Sequence, residues 1–264
     1  MAQRPLVSIV TPFYNEGEGV KHFYQVMSQT MQRLSDFDFE LVCVDDGSKD
    51  NTLEQLISIS KQDPRVIVLE FSRNFGKEPA MTAGIDAASG DCVIPMDADL
   101  QDPPALIGDM LQKWQEGAEV VLAKRVDRST DSYSKRTTAL MFYRLHNALS
   151  HLQIPENVGD YRLMDRVVVD ALKQLPERQR FMKGLFAWVG FKTATVEYAR
   201  DARLVGDSKF SGWKLWNFAI EGITSFSLVP LKVWTYIGGL GAIFAFCYAS
   251  FIVIRTMIFG VDAP

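Results

Sequence analysis

The sequence predicts an α/β protein: a mostly parallel sheet flanked by helices, followed by an amphipathic interface helix and a transmembrane helix. Three observations predict it. Short, nearly continuous apolar runs alternate with segments of helical spacing through the first half of the chain. Most of those runs end in polar or charged residues, as in a sheet whose ligand lies beyond the carboxyl ends of its strands. Near the C-terminus, residues 233–254 hold 22 residues without a charge.

The elements follow in order. "PLVSIVTPFYN" reads as a buried strand ending at Pro12. Residues 16–34 have the apolar spacing of a helix. "FELVCVDDGS" is a second strand with acids at its end, and Asp50 caps a helix over 51–61. "RVIVLEFS" is a third strand, and residues 77–88 form a helix broken at Gly90. "DCVIPMDAD" is a fourth strand. Asp102 is then the expected N-cap of a helix that Pro103 starts. "AEVVLAKR" is a fifth strand. Beyond it lie a polar basic stretch, a helix over 137–152, the motif "VGDYRLMDR", a helix to Leu175, a short one over 181–189 and a strand, "TATVEYAR". Residues 212–228 are amphipathic, suited either to a membrane interface or to packing on the soluble domain. The uncharged run spans ~33 Å at ~1.5 Å per residue, the thickness of a hydrocarbon core. Lys232 and Arg255 bracket it, with Trp234 and Tyr236 as interfacial anchors. A buried core helix is the alternative.

Composition narrows the function. Hydrophobic residues are 47% and charged residues 23% of the chain, so a packed core is expected and global disorder is not. A net charge of -4 argues against a nucleic-acid binder that works through bulk charge. Cys43, Cys92 and Cys247 have no C-x-x-C spacing, which excludes the usual spaced zinc site; Cys43 and Cys92 read as core residues. The cluster "GEGVKH" has His22 where a dinucleotide fingerprint needs its third glycine, and no Walker lysine motif is present. The three histidines have no ligand spacing.

Several groups carry candidate chemistry. If the chain stays extended past the fourth strand, Asp97 and Asp99 point to one side, a pair of hard oxygen ligands for Mg²⁺ or Mn²⁺. A solvated acidic turn is the alternative. Tyr14 and Glu16 offer a ring and a carboxylate to a base. One aspartate of "VDDGS" suits a ribose hydroxyl or a base N–H. Arg73 and Lys77 bracket either a phosphate or the acid cluster. Arg203 and Lys209, around "GDSKF", suit a loop closing on a pyrophosphate or facing anionic lipid.

Taken together, "VSIVTPFYNEGEGV", "ELVCVDDGSKDNT", "SRNFGKEPAMTAGIDAASGD", "MDADLQDPP" and "GDYRLMDR" through "GDSKF" resemble the polyprenyl-phosphate glycosyltransferases of the GT-A (Rossmann-like) fold. Within them the resemblance is to the bacterial undecaprenyl-phosphate (bactoprenol) glucosyl transferases, with dolichyl-phosphate mannose synthase related. It implies nucleotide contacts at Pro12, Tyr14, Glu16, Val44 and Asp46. It implies a D-A-D of Asp97, Ala98 and Asp99 with Asp99 and Gln101 nearest the metal, and phosphate-holding Arg125, Arg203 and Lys209. Asp160 matches the acid proposed as catalytic in the bacterial branch. Lys77 is expected beside the donor, and Arg125, Arg128 and Arg136 at the acceptor phosphate.

The implied reaction moves a hexose, glucose before mannose or aminoarabinose types, from a UDP-sugar to a polyprenyl phosphate with inversion. The implied setting is the bacterial inner membrane, with a cytoplasmic catalytic domain over 1–210, a juxtamembrane segment over 211–232 and a span over 233–259. The family pattern carries a second span that this sequence does not include. A processive polysaccharide synthase is disfavoured because "ERQRFMKG" does not match Q-x-x-R-W, and a non-catalytic nucleotide-sugar sensor because the acid and basic motifs are intact. Gly238, Gly239 and Gly241 suit close packing on a neighbouring helix, the basis for expecting a homo-oligomer.

Overall fold

The computed structural model describes residues 4–127, 158–175, 182–199 and 229–260. The chain builds one seven-stranded sheet in the order β3-β2-β1-β4-β6-β5-β7. Its strands are β1 (Leu6–Phe13), β2 (Asp38–Asp45), β3 (Val66–Glu70), β4 (Cys92–Pro95), β5 (Val120–Asp127), β6 (Val158–Asp165) and β7 (Thr193–Ala199). The helices are α1 (Val20–Arg33), α2 (Thr52–Ser60), α3 (Lys77–Ala87), α4 (Leu106–Gln115), α5 (Arg166–Lys173), α6 (Met182–Trp188) and α7 (Val229–Phe259). β6 alone runs against its neighbours; β5 and β7 are parallel to each other.

Alternation along the strands divides the core. Ile9, Leu41, Cys43, Ile94 and Leu163 pack with α1, α2 and α4 on one face. Val10, Val42, Val93 and Met164 pack with α3, α5 and α6 on the other. The helices meet these faces through matching stripes. On α1, Val20, Phe23, Met27 and Met31 are buried at three- and four-residue intervals. On α3 the close approach is made by Gly84, where a Cβ would lie 2.3 Å from a methyl of Val10.

Three expectations are corrected. β1 continues through Pro12 to Phe13, pairing with β2 along its length. Val10 gives its carbonyl to Met96 on the β4 side. Alternation puts Pro12 on that side too, beyond the last β4 pair, so its missing N–H costs no ladder bond. "VGDYRLMDR", read without a secondary structure of its own, contains a strand, β6, whose Tyr161 to Met164 are all buried, so Asp160 is a strand residue. Asp102 is not a helix cap. The helix begins at Leu106, and the Asp102 carboxylate accepts a 2.5 Å hydrogen bond from the Tyr198 hydroxyl of β7. The long apolar helix expected near the C-terminus is present as α7, and the alternative of a buried core helix is not. Within residues 232–259 the most apolar 18-residue window has a mean hydropathy of 2.2 and none of it is buried, so the helix is long and apolar enough to cross a membrane. It begins inside the segment assigned from sequence to the interface. Most of that segment, and the helix expected over 137–152, lie outside the described residues.

Candidate active site

The site forms where β1, β2, β3 and β4 end. The loops after β1 and β2 are laced together. Asn15 takes a φ of 52°, which asparagine tolerates better than most residues. Its backbone N–H donates to Ser48 Oγ (3.0 Å), and its Oδ1 accepts from the N–H of Lys49 (2.8 Å). Glu16 and Gly17 donate their N–H groups to Thr52 Oγ1 (2.9 Å) and Asp50 Oδ2 (3.0 Å). Asp50 Oδ1 also accepts from the N–H of Thr52 at 3.0 Å, the capping role read from the sequence.

Between these loops and the end of β3 lies a cleft of about 510 Å³, lined by Tyr14, Asp45, Ser48, Glu70, Arg73 and Asn74 among others. That volume is within the range of small-ligand pockets. The floor turns at Gly47, with φ of 67°; a Cβ there would lie 2.4 Å from the backbone carbon of Arg73. Only glycine allows this approach.

The two acids of "VDDGS" separate. Asp46 faces the α3 side and ties down the loop before α3. It accepts from the N–H of Phe75 (2.7 Å), the N–H of Gly76 (2.9 Å) and Asn74 Nδ2 (2.9 Å). Asp45 lines the cleft. It is 1% exposed; its Oδ2 accepts from the N–H of Ser48 (3.0 Å), and its Oδ1 is buried with no protein partner among the described residues. A buried carboxylate oxygen without a protein partner, on a residue that lines a cleft, is an acceptor the described fold leaves unused. The resemblance points to Asp46; of the two acids, Asp45 is the one among the residues lining the cleft. Pro12 and Val44 are strand partners. Val44 is fully buried beside Gly84, so only its backbone faces a ligand. Tyr14 lines the cleft and Glu16 is exposed on the same loop.

The acid loop departs from the extended form expected. β4 ends at Pro95, the chain turns at Ala98 and Asp99, and Leu100 takes a φ of 53°. A left-handed leucine costs roughly 1–2 kcal/mol, and packing of Ala98 and Leu100 against the core holds it. Asp99 Oδ1 accepts from the N–H of Gln101 at 3.2 Å. Asp97 is held by Lys77, whose Nζ is 2.7 Å from Oδ1 and 2.9 Å from Oδ2.

The antiparallel β6 completes the site. Cys92 pairs with Asp165 and Val93 with Met164. Continuing that register carries Asp97 opposite Asp160. Lys77 Nζ, at the first residue of α3, also lies 2.8 Å from Asp160 Oδ2. Burial works against the Lys77 ammonium, but the charges of Asp160 and Asp97 outweigh it, so its pKa stands above the ordinary lysine value. Arg73 does not join this cluster; its guanidinium lies 4.7 Å from the Phe75 ring centre and borders the cleft. Arg125 is half-buried near the end of β5. Arg128, Arg136, Arg203 and Lys209 lie outside the described residues.

The loop offers hard oxygen donors, the Asp97 and Asp99 carboxylates and the Gln101 amide. No group of three or more histidine, cysteine or acidic side chains is gathered around one point among the described residues. This donor set fits Mg²⁺ or Mn²⁺ completed by substrate phosphate oxygens and water, the usual mode of a cation bound through one or two carboxylates.

Comparison with known proteins agrees with this architecture. The family description "Glycosyl transferase family 2" matches residues 8–173. The chain is 52% identical over 254 residues to the prophage bactoprenol glucosyl transferase homolog of Escherichia coli K12, covering 96% of this chain and 83% of that one. It is 54% identical over 254 residues to the bactoprenol glucosyl transferase of Shigella phage SfV, covering 96% and 82%. Among solved structures, glucosyl-3-phosphoglycerate synthase from Mycobacterium tuberculosis, with Mn²⁺, UDP-glucose and phosphoglyceric acid, superposes with a TM-score of 0.55 at 21% identity over 83% of this chain and 77% of that one. The mannosyltransferase of Pyrobaculum calidifontis, with GDP-mannose and Mn²⁺, gives 0.56 at 19% identity over 83% and 61%. With the family matched over most of the sheet and full-length relatives above half identity, the chain belongs to glycosyl transferase family 2.

Proposed function

We propose that this enzyme transfers glucose from UDP-glucose to a polyprenyl phosphate, undecaprenyl phosphate in a bacterial membrane, with inversion at the sugar carbon. The observation that carries the reaction class is the meeting of a nucleotide-sized cleft, an acid loop and Asp160 at one sheet edge. The names of the relatives above half identity support glucose and the lipid acceptor.

The uracil and ribose of the donor occupy the cleft, with Tyr14 against the base and Asp45 accepting from it. The diphosphate extends toward Asp97 and Asp99. Asp97, Asp99 and Gln101 would hold a divalent cation, which would supply charge stabilisation for the departing diphosphate. The basic residues Arg203 and Lys209 act on the same charge. In the transfer, an oxygen of the acceptor phosphate forms the bond to the sugar carbon while the bond from that carbon to UDP breaks, and UDP leaves with the electron pair. The acceptor is a phosphate monoester with a second pKa near ~6, so it arrives ionised and needs no strong base. Asp160, paired with an ammonium, orients sugar and acceptor. Arg125, Arg128 and Arg136 guide the acceptor phosphate.

Residues 1–210 form the transferase domain, on the cytoplasmic side. Residues 211–232 lead into the span over 233–259, which keeps the site near a substrate that diffuses in two dimensions. The test is UDP release with undecaprenyl phosphate and a panel of UDP-hexoses, with and without EDTA. Turnover with UDP-glucose that EDTA abolishes is expected. Turnover only with another sugar, or none with lipid phosphate, overturns the assignment.

A further inference from the structure

We propose that Lys77 is a built-in counter-ion that makes cation binding at the Asp97/Asp99 loop conditional on the donor diphosphate. The inference rests on the donor and cation assigned above, and concerns how the protein regulates their binding.

The geometry leads there directly. Asp97 is the first carboxylate of the acid loop, and both its oxygens lie within 2.9 Å of the Lys77 ammonium. The same ammonium is 2.8 Å from Asp160. The backbone that carries Lys77 is tied down on both sides. Lys77 opens α3, and the residue before it, Gly76, is bonded through its N–H to Asp46. Glu78, the residue after it, accepts from the N–H of Met182 on α6 at 3.2 Å. The ammonium is therefore mounted on a segment fixed on both sides.

A divalent ion entering alone meets this charge within a few ångströms of its seat. To use Asp97 it must displace Lys77; to use Asp99 alone it has too few protein oxygens. The donor diphosphate changes both terms. It brings oxygens that complete the coordination shell, and negative charge that offsets the ammonium. Lys77 then remains with Asp97 and Asp160 as a positioning residue, joining the donor end of the site to the acceptor end. By linkage, the factor by which UDP tightens the cation equals the factor by which the cation tightens UDP.

The experiment is a titration of the full chain in detergent with Mn²⁺, followed by electron paramagnetic resonance, with and without UDP. The wild type is expected to bind Mn²⁺ alone at least about tenfold more weakly than in the presence of UDP, a factor worth ~1.4 kcal/mol. Lys77→Met is expected to bind Mn²⁺ alone about tenfold more tightly than wild type, and to show a correspondingly smaller UDP effect. Lys77→Arg, which keeps the charge, should stay near wild type. Equal Mn²⁺ affinity of wild type with and without UDP overturns the proposal without any variant. So does a folded Lys77→Met whose Mn²⁺ affinity is unchanged. Failure of the functional reading is distinguishable, because it shows as a wild type that neither binds UDP nor releases it from a UDP-hexose.

Discussion

Asp97, two residues past the end of β4, and Asp160, on the antiparallel β6 beside it, are bridged by the ammonium of Lys77 at 2.7–2.9 Å. Sixty-three residues apart in sequence, they become one cluster because β6 runs against β4. Its beginning therefore lies beside the end of β4. A sheet parallel throughout would carry Asp160 to the opposite edge.

Asp160→Asn tests the role given to this acid. The ammonium of Lys77 would keep Asp97, so the donor side should change little. The expected outcome is a fall in kcat of about 10²-fold or more, with donor KM within about threefold of wild type, as for an interaction strengthened in the transition state. Steady-state kinetics over a range of UDP-glucose concentrations checks it. A variant affected only in donor KM sinks the acceptor-side role.

The separated acids of "VDDGS" predict two different phenotypes. Asp45→Asn should weaken UDP binding by about tenfold, through loss of a buried acceptor facing the cleft, while leaving thermal stability nearly unchanged. Asp46→Ala should lower stability by roughly 2–4 kcal/mol, because it strands three donors on the loop before α3. Calorimetric UDP titration and thermal unfolding of both variants separate the roles.

Asp63 gives a pH prediction away from the site. Bonds from Arg65 at 2.7–3.2 Å, opposed by burial and aided by the Tyr24 hydroxyl at 2.9 Å, hold its carboxyl down at about 2. The folded value lies below the unfolded one of ~3.9. Its stabilisation is thus complete above pH ~4 and is lost as pH falls through about 2. With Arg65 partly exposed, ~1–2 kcal/mol is expected. Asp63→Asn should lose that amount at pH 7 and flatten the acid limb of the stability curve below pH ~4, measured by urea unfolding across pH.

The Tyr198 hydroxyl reaches Asp102 just past the acid loop. Tyr198→Phe removes that donor from a buried carboxylate and should cost ~1–3 kcal/mol. A fall in unfolding free energy of that size, with Asp102→Asn partly additive at most, is the expected double-mutant result.

Much of this molecule was legible in its residues. The parallel β-α succession followed from apolar runs of strand length alternating with helical stripes, because each burial pattern fixes its own periodicity. The cap at Asp50 and the uncharged helix were also plain, since each depends on neighbours in sequence. The motifs located the loops that make the site. β6 was missed because "VGDYRLMDR" carries charges at both ends and lies among polar stretches, so local pattern gave it no strand signature.

What the sequence could not decide was which side chain meets which. Asp45 and Asp46 are adjacent acids, and alternation sends them to opposite faces. Only the packing of α3 on one face and the laced loops on the other makes one a cleft residue and the other a loop anchor. Asp102 looked like a cap because Pro103 follows it, until β7 brought Tyr198 to its carboxylate. Lys77 was a basic residue near acids until β6 delivered the second carboxylate. Short-range periodicity is enough to set the elements and the apolar length of the last helix. The tertiary structure decided the charge cluster, because strand direction and register are set by contacts between residues far apart in the chain.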